Sequence, residues 1–111
     1  MRPGQRTPHE LEAAVLRAIM EQDPTLRIDV EGLRVVNRQY TGVGCLTEFV
    51  RDDARETTSE ILPLDRSVSV PGCDAGLGAM LFLTSGEANC LELFTYDGSW
   101  VGRHDGFSIG P

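Results

Sequence analysis

The chain has 111 residues, with 17 acids against 10 bases and a formal net charge of −7. That length suits one domain whose core needs neither disulfides nor a metal to hold it. The acid excess argues against a basic face for nucleic-acid phosphates. No apolar run approaches the roughly 20 residues of a membrane-spanning helix.

Every basic residue is arginine, whose planar fork suits fixed carboxylate pairs better than a lysine ammonium does. Between Ser67 and Gly102 there is no basic residue at all, while Asp74, Glu87, Glu92 and Asp97 fall there. Cys45, Cys73 and Cys90 are an odd, widely spaced set with no Cys-x-x-Cys, and reduced thiols are expected. The opening residues Met1 to Pro8 lack the apolar core of a signal peptide, so the expected location is cytoplasmic.

In chain order, residues 1–6 read as a disordered leader and 7–111 as a single α+β domain. Thr7-Pro8-His9-Glu10 carries three helix-start cues: Thr7 as cap, Pro8 at the first helical position and Glu10 completing a capping box. Leu11, Ala14, Val15, Ala18 and Ile19 follow at helical spacing, while Glu12, Arg17 and Glu21 mark a wet face. Asp23-Pro24 ends this helix, predicted over 8–22. Leu26, Ile28 and Val30 alternate with charged residues as in a half-buried strand; a loop over 26–32 is the alternative. A strand over Leu33–Tyr40, a turn at Thr41–Gly44 and a strand over Cys45–Val50 come next, with Cys45, Thr47 and Phe49 sharing one face.

Arg51–Glu60 is polar and reads as a surface loop. Ile61–Leu64 and Ser67–Val70 read as short edge segments, because Pro63 cannot donate to a central ladder. Pro71–Gly76 reads as a glycine-rich loop leading into a hairpin. Its first strand is the contiguous apolar run Ala79–Leu83, and its second is Ala88–Tyr96, after a turn at Thr84–Glu87. Residues 101–111 form a polar tail. The expected architecture is an N-terminal helix packed on a single, mostly antiparallel sheet of five or six strands.

Few residues offer chemistry. The segment Gly72–Gly78 suggests a phosphate cradle, but it leads into a strand rather than a helix N-terminus and carries Asp74 with no lysine. Cys73, in the same loop, is the thiol expected to be exposed, with His104 as its possible base partner. Neither metal-ligand spacing nor a cofactor motif is present, so no catalytic, metal or cofactor residue is assigned. In a regular strand, Ala88, Cys90, Glu92, Phe94 and Tyr96 share one face and Asn89, Leu91, Leu93 and Thr95 the other. Glu92 then lies between a thiol and two aromatics, either as a ligand-binding acid or as an exposed carboxylate paired with Arg34 or Arg38. Phe94, Tyr96 and Trp100 cluster near the hairpin end, where Trp100 is either a core plug or an interface anchor.

The segments Tyr40-Thr-Gly-Val-Gly-Cys-Leu-Thr-Glu-Phe49, Gly76-Leu-Gly-Ala-Met-Leu-Phe-Leu83 and Leu91-Glu-Leu-Phe-Thr-Tyr96 before Trp100 resemble a group of small bacterial proteins without an established activity. That group shows a Gly-x-Gly-Phe-Phe-Thr-x-Phe stretch and a Leu-Glu-Gly-Tyr-Thr-Tyr segment. This chain departs from the pattern at Cys45-Leu46 and at Leu93. By size and charge the chain also resembles bacterial toxin-immunity proteins.

The expected function is therefore an acidic protein-binding module, of the immunity type that neutralises a basic toxin such as a nuclease. Its partner-binding residues would be Asp52, Asp53, Glu56, Asp74, Glu87, Asp97 and Trp100. One alternative is a ligand-binding protein or enzyme using Cys73, Glu92, Tyr96 and His104. Another is an adaptor or subunit of a larger assembly.

Overall fold

The structure, a computed structural model, describes residues 6–50, 59–84, 86–96, 98–100 and 102–110. It is an α+β fold: among the described residues, one N-terminal α-helix, α1 (Glu10–Gln22), lies against a single seven-stranded sheet. The strands are β1 (Val35–Tyr40), β2 (Gly44–Phe49), β3 (Ser59–Pro63), β4 (Val68–Val70), β5 (Cys73–Thr84), β6 (Glu87–Thr95) and β7 (Ser108–Ile109). Their order is β1-β2-β6-β5-β4-β7, and every pairing is antiparallel. Consecutive antiparallel strands need only short turns, which Gly42 and Gly86 provide at positive φ. No described helix is long and apolar enough to cross a membrane.

Strand β5 organises the sheet. One of its edges pairs with β6 along nearly its whole length. The other takes β3 and β4 end to end: Ser59–Pro63 against Met80–Thr84, then Val68–Val70 against Cys73–Leu77. The Leu64 amide continues the ladder to the Ala79 carbonyl at 2.9 Å, so Pro63 costs the sheet little. Where this double strand bends, the end of α1 holds it. Gln22 donates to the Pro63 carbonyl at 3.0 Å and accepts from the Asp65 amide at 2.7 Å, and Arg66 pairs with Glu21.

The core lies between α1 and one face of the sheet. Leu11, Val15, Leu16 and Ile19 are fully buried against Leu77, Leu81, Leu91 and Leu93. Each such side chain contributes roughly 1.5–3 kcal/mol through its removal from water. Alternation along β2 puts Cys45, Thr47 and Phe49 on this inner face, as expected.

Several sequence expectations need correction. The helix begins two residues later than its cues suggest: the cap is His9, and the capping box pairs His9 with Glu12, not Thr7 with Glu10. Residues 26–29 form no strand. They lead into a single 3-10 turn at Val30–Gly32, and the first strand starts at Val35, so the loop alternative holds. Cys73–Gly76 is already strand, so the glycine-rich loop reduces to Pro71-Gly72. The tail contributes β7, which pairs with β4. Of the leader, only Arg6 is described, and its backbone pairs with Val35. Most of the loop predicted over 51–60 lies outside the described residues.

Candidate functional site

The two faces of the sheet hold different chemistry. On the inner face, the Glu12 carboxylate is fully buried at the start of α1, although its sequence position suggested the wet face. It is saturated with donors. Oε1 accepts from Arg38 Nη2 at 2.6 Å and from the His9 amide at 2.9 Å. Oε2 accepts from Arg38 Nε at 2.8 Å and from the Thr47 hydroxyl at 2.7 Å. Arg38 on β1 and Thr47 on β2 are cross-strand partners, so their register delivers both donors together. Burial on its own would raise the Glu12 pKa, but the hydrogen bonds from Arg38 and Thr47 outweigh it and hold the carboxyl below its ordinary value.

His9 completes this cluster. Its Nδ1 accepts from the Glu12 amide at 3.2 Å, and its ring stacks on His104 with centroids 3.9 Å apart and planes 5° from parallel. Burial pushes the His9 pKa down to about 4; the Glu12 charge opposes this, while the positive fields of His104 and Arg38 reinforce it. A carboxylate with all its acceptor sites filled has nothing left for a substrate. The cluster therefore ties α1, β1, β2 and the tail together.

The outer face is bare among the described residues. Cross-strand register lines up Leu46, Glu92 and Met80 in one row, and Glu48, Cys90, Phe82 and Ile61 in the next. Phe94 stands between Gly44 and Gly78, and its ring leans over Gly78, where a Cβ would meet Phe94 Cζ at 2.5 Å and the Tyr96 hydroxyl at 2.7 Å. Phe94 and Tyr96 meet edge to face at 5.6 Å. Ile61 and Tyr96 remain 53% and 62% exposed. Glu92 is half-buried and makes no hydrogen bond or ion pair among the described residues. The arginines expected to pair with it are engaged elsewhere: Arg38 with Glu12, and Arg34 with the Glu31 and Leu33 carbonyls. Burial, then the charges of Glu48 and Glu92, push the Cys90 thiol up to about 11. The centre of this face is thus a negative field on an apolar floor.

A β-bulge reshapes the face predicted for β6. The register shifts between Phe82 and Leu83, so Ala88 turns into the core while Cys90, Glu92 and Phe94 stay outside. Asn89 fills the bulge and donates to the Thr84 hydroxyl at 2.8 Å.

The other predicted site residues that are described do not assemble. Cys73 is buried rather than loop-exposed, its thiol against the Ser99 carbonyl at 3.7 Å. His104 is committed to His9. Trp100 is only 4% exposed, and its indole N–H donates to the Arg103 carbonyl at 2.8 Å, so its ring offers a partner little. Asp74 is exposed near the start of β5, whereas Glu87 faces Thr84 at its far end, roughly 30 Å away at the rise of a strand. Glu87 also shares the wall of a cavity of about 300 Å³ with Arg27, Asp29 and Arg34. Asp52, Asp53, Glu56 and Asp97 lie outside the described residues. No group of three His, Cys, Asp or Glu side chains among the described residues is placed to hold a metal ion.

Sequence reasoning missed the Glu12 cluster, although the signal was present. Glu12, Val15, Leu16 and Ile19 follow the i, i+3, i+4, i+7 pattern, which sets Glu12 on the apolar stripe. Comparison with known proteins finds no match among family models, curated proteins or solved structures.

Proposed function

We propose that the chain is a protein-binding module that seats a basic partner on the outer face of its sheet, in the manner of an immunity-type inhibitor of a basic toxin. The observation that carries this reading is the composition of β5. A half-exposed antiparallel strand alternates apolar and polar residues, whereas an uninterrupted apolar run belongs to a strand covered on both sides. The run Leu77-Gly-Ala-Met-Leu-Phe-Leu83 is of the second kind, yet α1 covers only one side of it. Leu46, Phe94 and Ile61 extend the same character onto the neighbouring strands.

Charge selects the occupant. The face carries Glu48 and Glu92 with no base among its described residues, on a chain of net charge −7. A second copy would bring like charges together at a cost, whereas a basic surface is attracted and steered in. The small-ligand alternative is weaker, because the 300 Å³ cavity is lined by hairpin-tip and turn residues and not by Glu92.

The test is affinity capture from source cells at low salt, using the wild type and Phe82→Arg, together with light scattering of the purified chain. The expected result is one basic protein, released as salt rises and absent from the Phe82→Arg capture, with the free chain monomeric. Equal capture by both forms, or a salt-resistant homodimer, overturns the reading.

A further inference from the structure

We infer that the partner's anchor on this face is an arginine side chain, seated with its guanidinium between the Glu92 carboxylate and the Phe94–Tyr96 ring pair. This rests on the outer-face reading and narrows it to one kind of contact. Glu92 and Phe94 are two residues apart on the same side of β6, about 7 Å along the strand, a span that a guanidinium bridges. Planar guanidinium groups stack on aromatic faces and fork onto carboxylates at once, which an ammonium cannot do. Leu46 and Met80 flank Glu92 on the neighbouring strands and supply apolar walls for the methylene stem. Glu48, one row further on, adds a second negative charge.

The aromatic half of the seat is built into the backbone. Gly78 lacks the Cβ that would strike both rings, so Phe94 and Tyr96 settle over the strand with their edge-to-face contact already formed. Among the described residues no cation faces the half-buried Glu92 carboxylate, so its acceptor sites stay open to an incoming guanidinium.

The test uses the isolated chain and small probes. N-acetyl-arginine amide is titrated against the wild type by NMR, in parallel with the neutral isostere N-acetyl-citrulline amide and with the lysine analogue. Saturable shifts centred on the Phe94 and Tyr96 ring protons and the Glu92 carboxyl are expected with arginine. Citrulline should bind at least fivefold more weakly, and lysine less tightly than arginine. Glu92→Gln and Tyr96→Ala should each weaken arginine binding at least fivefold while leaving the melting profile intact, and Gly78→Ala should weaken it by displacing the rings. Equal responses to arginine and citrulline, or an arginine response unchanged in Glu92→Gln, overturn the inference. The outer-face reading fails separately. Partner capture lost in Phe82→Arg but retained in Glu92→Gln and Tyr96→Ala keeps the face and removes the arginine seat. Capture unchanged in all three removes the face.

Discussion

Glu12 and Glu92 face the same sheet from opposite sides, and their surroundings differ in kind. Glu12 sits in the core and accepts from Arg38, Thr47 and the His9 amide. Glu92 lies half-buried on the outer face, between Leu46 and Met80, with no donor among the described residues. A buried charge persists only when its hydrogen-bonding capacity is met within the fold. On the inner side that requirement is satisfied intramolecularly, so the charge serves architecture. On the outer side Glu92 is only half-buried, so water meets that requirement and the charge stays available to another molecule.

The sharpest way to break this contrast is to remove the donor that Glu12 depends on. Arg38→Ala leaves a buried carboxylate uncompensated and should cost about 3–5 kcal/mol in urea denaturation. The two faces can next be compared residue by residue along β5. Leu81→Ala, on the inner face, should cost about 2–5 kcal/mol, whereas its half-buried neighbour Phe82→Ser, on the outer face, should cost less, about 1–2 kcal/mol.

Acid titration probes the inner cluster on its own. The unfolded His9 imidazole takes its proton near pH 6.5, but in the fold it resists until about pH 4. The unfolded state therefore binds that proton first. Stability should be complete above about pH 6.5 and fall by up to about 3 kcal/mol on the way to pH 4. Glu12, held below its ordinary 4.5, adds a further loss as the pH drops below that value. The groups facing His9 are Glu12 from α1, Arg38 from β1 and His104 from the tail, and His9→Asn, which preserves a capping acceptor, should flatten the upper part of the profile. The smallest effect belongs to the outer face: Glu92→Gln should alter the melting free energy by about 0.5 kcal/mol or less, while partner binding responds strongly.

How far this arrangement was readable beforehand depends on the range of the forces involved. The helix, the antiparallel pairing and the inner face of β2 follow from local periodicity, which Leu11, Val15 and Ile19 or Cys45, Thr47 and Phe49 display directly. The helix start was misplaced because two overlapping boxes, Thr7 with Glu10 and His9 with Glu12, compete for it. Contacts with Arg38 and Thr47, 26 and 35 residues from Glu12, decide between them. Cys73 looked exposed because glycine and proline precede it, but pairing with Val70 draws it into the sheet. The alternation of its strand sets Glu92 on one face with Cys90 and Phe94, and that placement is local. Its lack of a partner among the described residues depends on where Arg34 and Arg38 point, which is a property of the fold.

The bulge at Asn89 also acts as a phase marker for the hairpin. Side chains in a strand switch sides at every residue, so a single extra residue inverts the facing of everything on its far side relative to the partner strand. With the bulge, small Ala88 enters the core and Cys90, Glu92 and Phe94 look outward. Loss of that one residue would leave the hairpin a choice. It could keep its turn and swallow Glu92, or keep its two faces and rebuild its turn. The identity of the outer surface is thus set by the parity of a residue count, upstream of any side chain that the surface displays.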